Sequence, residues 1–282
     1  LRNRRTPLTL LTVLLFVLAS TGVASAANMK RGTTQDDVLR GNSKANRILA
    51  IGGNDVVKGR GGNDYILAGL GDDQAYGDSG DDRIAMASGL DWVSGGSGND
   101  TIDGGRDNDV LYGGTDNDHI TGADGDDLIY GEDGNDFTLN GGEGNDRLYG
   151  GEGTDKLLGH DGDDILDGGN GSDFALSGGP SNDLLIDGAG DELKIKGDEG
   201  DDTVFLGPGR DRVFTEQGND TIYVFPDGEL DKIHCDDPTL GDEGTADRVV
   251  FVGYRDAHDV VDYRGSCEIV EISPVAPAGW PY

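Results

Sequence analysis

Acidic residues recur along this chain on a nine-residue count. One acidic position, usually the end of an Asn-Asp or Asp-Asp pair, falls at Asp55, Asp64, Asp73, Asp82, Asp91, Asp100, Asp109, Asp118, Asp127 and Asp136. After one inserted residue it resumes at Asp146, Asp155, Asp164 and Asp173. A second insertion leads to Asp183 and Glu192, and a third to Asp202, Asp211 and Asp220. Backwards, the register reaches Asn46 and Asp37. Rows of carboxylates suit a hard cation. Calcium takes six to eight oxygens and accepts backbone carbonyls, whereas magnesium demands a stricter octahedron. Zinc and copper would call for His or Cys, and His160 is the one histidine that falls in a turn of the repeat.

Other reactive groups are few. Gly77-Asp78-Ser79-Gly80 mimics the nucleophile segment of trypsin-like proteases. Its Ser79 keeps the nine-residue register, however, and no His precedes it, as that chemistry requires. No G-x-S-x-G, H-E-x-x-H or EF-hand loop occurs. His119, His160, His234 and His258 are scattered. Cys235 and Cys267 are the only cysteines. In an exported chain such a pair reads as a disulfide, contributing roughly 3–4 kcal/mol by chain entropy. The alternative is a zinc site of His234, Cys235, His258 and Cys267, whose spacing fits no known zinc module.

The elements that must position the acids follow from the same count. Two residues after most of them stands an aliphatic residue, as at Val57, Ile66, Ile84, Val93, Ile102, Leu111, Ile120 and Ile129. Glycines precede the acid; Gly95-Gly96-Ser97-Gly98-Asn99-Asp100-Thr101-Ile102-Asp103 shows a whole unit. Glycine supplies the positive φ of a tight turn. The residues around the aliphatic form a short strand with its middle side chain inward. One unit cannot bury that side chain alone, so neighbours must stack. Two units make a coil, and about ten coils make a rod on the order of 50 Å long. Asp55, Asp73, Asp91, Asp109 and Asp127 then line one edge, and Asp64, Asp82, Asp100, Asp118 and Asp136 the other. Neighbouring carboxylates repel by roughly 1 kcal/mol per pair, so a cation must lie between them.

The unit G-G-x-G-x-D-x-U-x resembles the RTX (repeats-in-toxin) calcium-binding nonapeptide. The resemblance covers about residues 37–227. It implies a parallel β-roll with multiple calcium ions between turns, held by the repeat Asp and by turn carbonyls of adjacent coils. Carried over residue by residue, the ligands are the ten Asp from Asp55 to Asp136, then Asp146, Asp155, Asp164, Asp173, Asp202, Asp211 and Asp220. Departures occur: Asp107 and Asp116 replace a turn glycine, and Ser43 and Asn46 replace key residues near the start. Gln74-Ala75, Phe137-Thr138 and Phe174-Ala175 weaken the aliphatic position, and Glu192-Leu193-Lys194 breaks the pattern.

Composition sets the context. The chain has 282 residues, 50 of them Gly, a net charge of -33 and 34% hydrophobic residues. Such a balance alone would suggest disorder, but a disordered chain has no reason to keep a nine-residue count. The charge excludes a nucleic-acid partner. Arg2, Arg4 and Arg5, an apolar run from Leu8 to Leu18, and Ala24-Ser25-Ala26 read as an export signal. The expected organisation is a signal peptide at 1–26, a lead-in at 27–36, the roll at 37–227, a capping segment with a disulfide at 228–272 and a loose tail at 273–282. No other stretch is expected to span a membrane. The blocks Asp231-Lys232-Ile233-His234-Cys235 and Cys267-Glu268-Ile269-Val270 resemble the endings of secreted actinobacterial calcium-binding repeat proteins.

One outward row reads Tyr76, Ser94, Tyr112, Tyr130 and Tyr149. It is either a cross-strand ladder or an aromatic strip for sugars or a protein. The outward rows are mixed, against the regular Thr of an ice-binding face. The sequence therefore predicts an all-β fold, a parallel β-roll (β-solenoid) of nonapeptide repeats with a C-terminal β cap. The predicted function is extracellular calcium binding without catalysis, associated with a surface or matrix. The alternatives are an adhesin or glycan-binding module, with a polysaccharide or cell-surface partner, and an accessory part of a secreted hydrolase.

Overall fold

A computed structural model describes residues 28–235, 247–254, 260–261, 267–273 and 275–277. The signal segment at 1–26 and most of the tail at 273–282 lie outside the described residues. The strands form two sheets of thirteen, with odd strands in one and even strands in the other. All pairings between strands are parallel. The first sheet opens with Met29–Arg31 and the second with Val38–Arg40. The chain alternates between the two sheets, one strand each per coil, which is a β-solenoid. No described helix is long and apolar enough to cross a membrane.

The repeat explains the winding. In Thr101–Arg106 only Ile102 and Gly104 turn inward, and Ile102 stacks between Ile84 and Ile120 in neighbouring coils. The inward residues form one continuous core from Ile48 through Ile102, Leu148 and Leu185 to Phe251. Each coil adds only a few inward side chains to it, so each depends on both neighbours. Two turn positions per unit take a positive φ, as at Gly96 and Gly98.

One expectation changes. The aliphatic position is not weakened near Phe137 and Phe174; it moves by one residue. Leu139, Leu176 and Ile195 are the inward residues, each 0% exposed, while Phe137, Phe174 and Leu193 are 68%, 57% and 57% exposed. A one-residue slip would turn every later side chain to the wrong face. The chain instead expels the extra residue just after Asp136, Asp173 and Glu192, and the core keeps its row. Ala75 does stand in the core as a small residue.

The expected β cap at 228–272 is built into the same roll. Its described strands continue the two sheets. Lys232–His234 and Val260–Val261 extend the first, and Asp247–Val252 and Cys267–Ser273 extend the second. A disulfide joins Cys235 to Cys267, with Cα atoms 5.2 Å apart. It ties the penultimate strand of one sheet to the last strand of the other. With both sulfurs in that bond, the zinc alternative fails. His234 stacks on Phe214, with ring centroids 4.9 Å apart, and His258 lies outside the described residues.

Candidate metal centre

The repeat acids sit at the start of each strand, held by the turn before it. All seventeen expected ligands, from Asp55 to Asp220, are at most 3% exposed. They form the two rows expected. One runs Asp37, Asp55, Asp73, Asp91, Asp109, Asp127, Asp146, Asp164, Asp183, Asp202, Asp220 and Asp247. The other runs Asn46, Asp64, Asp82, Asp100, Asp118, Asp136, Asp155, Asp173, Glu192, Asp211 and Asp231. Asp183, Glu192, Asp231 and Asp247 thus join rows from which the sequence-derived ligand set left them out. For Asp183 and Glu192 the register itself was the signal. For Asp231 and Asp247 the spacing stretches beyond eighteen, and the signal is the Asp-x-aliphatic triplet alone.

Within a row most carboxylates do two things. The Oδ1 accepts the backbone N–H of the acid in the preceding coil, for example Asp100 N–H to Asp118 Oδ1 at 2.7 Å. The Oδ2 is buried and meets no donor; this holds for Asp55, Asp64, Asp73, Asp82, Asp91, Asp100, Asp109, Asp118, Asp127, Asp136, Asp146, Asp155, Asp164, Asp173, Asp183 and Asp202. Leaving a buried carboxylate oxygen without a partner costs several kcal/mol. Burial accordingly raises these carboxyls, with neighbouring acids adding to it and the backbone donor opposing it. Asp82 is raised to about 6, Asp100 to about 7 and Asp118 to about 8.

The oxygen without a donor points at the glycine five residues earlier. A Cβ on Gly113 would collide with Oδ2 of Asp118 and stand 2.9 Å from the carbonyl oxygen of Gly131 in the next coil. The same relation holds at Gly104 with Asp109 and Gly159 with Asp164. Glycine is required here for close approach, since a side chain would fill the space between carboxylate and carbonyl. The donor set is all hard oxygen, carboxylate plus backbone carbonyl, buried and acidic. It fits calcium. At Asp55, Asp73 and Asp91, however, the residue five earlier is Ala50, Ala68 and Met86, each fully buried in the core.

A second, exposed row runs beside each inner one. The residue just before each acid is usually Asn or Asp, and its side chain caps the following coil. Asp126 N–H donates to Asn108 Oδ1, Asn145 N–H to Asp126 Oδ1 and Asp163 N–H to Asn145 Oδ1. The inner acids accept from the coil before, the outer ones from the coil after. On this edge Asn and Asp alternate from Asn108 through Asp126, Asn145, Asp163, Asn182 and Asp201 to Asn219. The sequence shows those pairs but not their direction.

Chain comparison fixes the family. The family model described as the RTX calcium-binding nonapeptide repeat matches residues 31–66, 49–84, 87–120, 103–137, 140–175 and 194–223. The chain belongs to the RTX calcium-binding repeat family. It is a calcium-binding repeat protein. Its fold is similar to a solved structure titled as a hyperactive, Ca2+-dependent, β-helical antifreeze protein from an Antarctic bacterium. The TM-score is 0.51 and the identity 21%, covering 91% of this chain and 98% of that one. Among curated proteins no match was found.

The remaining sequence candidates are also placed. Ser79 is exposed, and its hydroxyl donates to the Arg60 carbonyl. His119 and His160 are exposed as well. The aromatic row is longer than Tyr76, Tyr112, Tyr130 and Tyr149, because Trp92 fills the gap at Ser94. Its ring lies 4.9 Å from Tyr76 and 5.6 Å from Tyr112. Tyr112, Tyr130 and Tyr149 stack at 4.9 Å with nearly parallel planes, and Lys58 covers Tyr76 at 4.4 Å. These faces are turned on one another rather than outward, as in a stabilising ladder.

Proposed function

We propose that this chain is a secreted, non-catalytic protein whose roll is ordered by calcium met outside the cell. The observation that carries the reading is the pair of rows of carboxylates in which the acids from Asp55 to Asp202 are buried and offer an oxygen that no backbone or side-chain donor satisfies. Without a cation, every added coil brings another such oxygen into the interior. Bound calcium supplies the positive charge that those oxygens lack. Asp64, Asp82, Asp100, Asp109, Asp118, Asp127, Asp136, Asp146, Asp155, Asp164 and Asp173 would hold it, with glycine carbonyls of the adjacent coil. Ion binding to the folded state alone then becomes folding free energy, about 2.7 kcal/mol per site at a hundredfold excess over Kd. The export signal read in the sequence and the disulfide both suit an oxidising compartment.

The test is far-UV circular dichroism of the full chain during a calcium titration, with magnesium as the control. A cooperative gain of β signal with calcium alone is expected. A spectrum that ignores calcium, whether ordered or not, overturns the reading.

A further inference from the structure

One place in the inner rows is built differently. Asp187 stands five residues before Glu192, where the matching residue for the preceding acid in that row, Asp173, is Gly168. In every glycine unit that position leaves space beside the acid; here a carboxylate fills it. The acid is itself Glu, one methylene longer than Asp, and the next acid of the row is Asp211. Ligand oxygens of Asp187, Glu192 and Asp211 all lie within 4.8 Å of one another. The three residues are 0%, 1% and 0% exposed.

Two further observations point to a ligand. Oε2 of Glu192 and Oδ2 of Asp211 are buried and meet no donor from outside the three acids, which lie within hydrogen-bonding reach of one another. The main chain holds the group in place: Asp187 Oδ1 accepts the Gly207 N–H at 2.6 Å, and Glu192 N–H donates to Asp211 Oδ1 at 3.2 Å. Three carboxylates this close repel strongly in a site shielded from water. Oxygens bound to one calcium lie 2.3–2.6 Å from it, so a pair can be up to about 5 Å apart. The observed spread fits around one ion. A repeat space offers one carboxylate oxygen without a donor; this one has three acids around it. Affinity for calcium rises with ligand charge and rigidity.

We propose that Asp187, Glu192 and Asp211 hold one hard divalent cation in a three-carboxylate site that keeps its ion after the repeats have lost theirs. This rests on the calcium reading above. It makes the break in the repeat pattern a built site, placed where the last described coils join the regular roll.

The experiment loads the full chain with calcium and lowers free calcium stepwise with a chelator. Metal per chain is read by atomic emission, and order by circular dichroism. The wild-type chain is expected to keep about one equivalent after the rest has left. In Asp187→Asn, and in a Asp187→Gly, Glu192→Asp double variant that restores the repeat residues, that equivalent leaves at about tenfold higher free calcium. Release of all ions in one step by the wild-type chain overturns the proposal and leaves the general calcium reading standing. Equal retention by the variants, with both still ordered in excess calcium, overturns it too. A wild-type chain that binds no calcium sinks both.

Discussion

Over the first coils the two edges of the roll carry the same acids but face them with different residues. On one edge Gly59, Gly77 and Gly95 stand five residues before Asp64, Asp82 and Asp100, and a Cβ on any of them would collide with the carboxylate. On the other, Ala50, Ala68 and Met86 stand before Asp55, Asp73 and Asp91 and belong to the core. From Gly104 and Asp109 through Gly197 and Asp202 that edge matches the first. Asp55, Asp73 and Asp91 carry the same buried oxygen without a donor, but a side chain stands where the first edge has glycine. The first edge offers space beside the acid, while the other spends it on packing.

The largest expected effect is on the whole fold, through pH. Burial raises the carboxyls to about 6 at Asp73 and Asp82 and about 8 at Asp109 and Asp118, against about 4 in an unfolded chain. A buried acid with a raised pKa favours the fold while protonated. That contribution is whole below the unfolded value and is lost as pH rises through 6 to 8. The metal-stripped chain should therefore be more ordered at pH 5 than at pH 8. With calcium the trend reverses, and the ordering midpoint moves to lower calcium as pH rises. Circular dichroism at the two pH values, with and without calcium, decides; order in the stripped chain that grows with pH would falsify the account.

Next come substitutions that exchange the edges. Gly113→Ala places a Cβ against Asp118 and the Gly131 carbonyl, and should cost roughly 1–3 kcal/mol in thermal or denaturant unfolding with calcium present. Met86→Gly opens the equivalent space at Asp91. It lowers stability by roughly 2–5 kcal/mol through the lost packing, yet should add about one calcium per chain. An unchanged metal content in that variant would show that the residue five before the acid does not control the site. The smallest effect is at a turn. Ile51, four residues before Asp55, has φ 94°, while Gly105 holds the matching place before Asp109. Ile51→Gly relieves a branched side chain from a left-handed conformation and should stabilise the chain by roughly 1 kcal/mol; a loss in unfolding midpoint would contradict this.

Much of this was legible in the sequence. The nine-residue count gives the coil, the two rows of acids and the inward aliphatic residues, because turn chemistry and core pattern agree on one period. The bulges were harder to read. Counting anchors on the acid, but the strand anchors on the core, so the outward move of Phe137, Phe174 and Leu193 looks in sequence like a lost aliphatic. The later strands read as short β-like runs, but their place in the two sheets does not: Lys232–His234 and Asp247–Val252 continue the sheets while their turns lose glycine and the fixed spacing. Asp187 reads as one more acid in an acidic chain until the fold brings it beside Glu192 and Asp211.

The alternation on the exposed edge has a consequence of its own. Between Asn108 and Asn219 each Asp of that outer row has an Asn on either side, so charges recur every second coil, about 9.6 Å apart at the usual strand spacing. The Debye length in physiological salt is about 8 Å. Ordinary dissolved ions are thus enough to quiet the outer row, while the inner row, dry and with an acid at every coil, is beyond their reach. The rod sorts its two kinds of acid by the solvent each one feels: monovalent salt tends the outside, and only a cation taken inside can tend the rest.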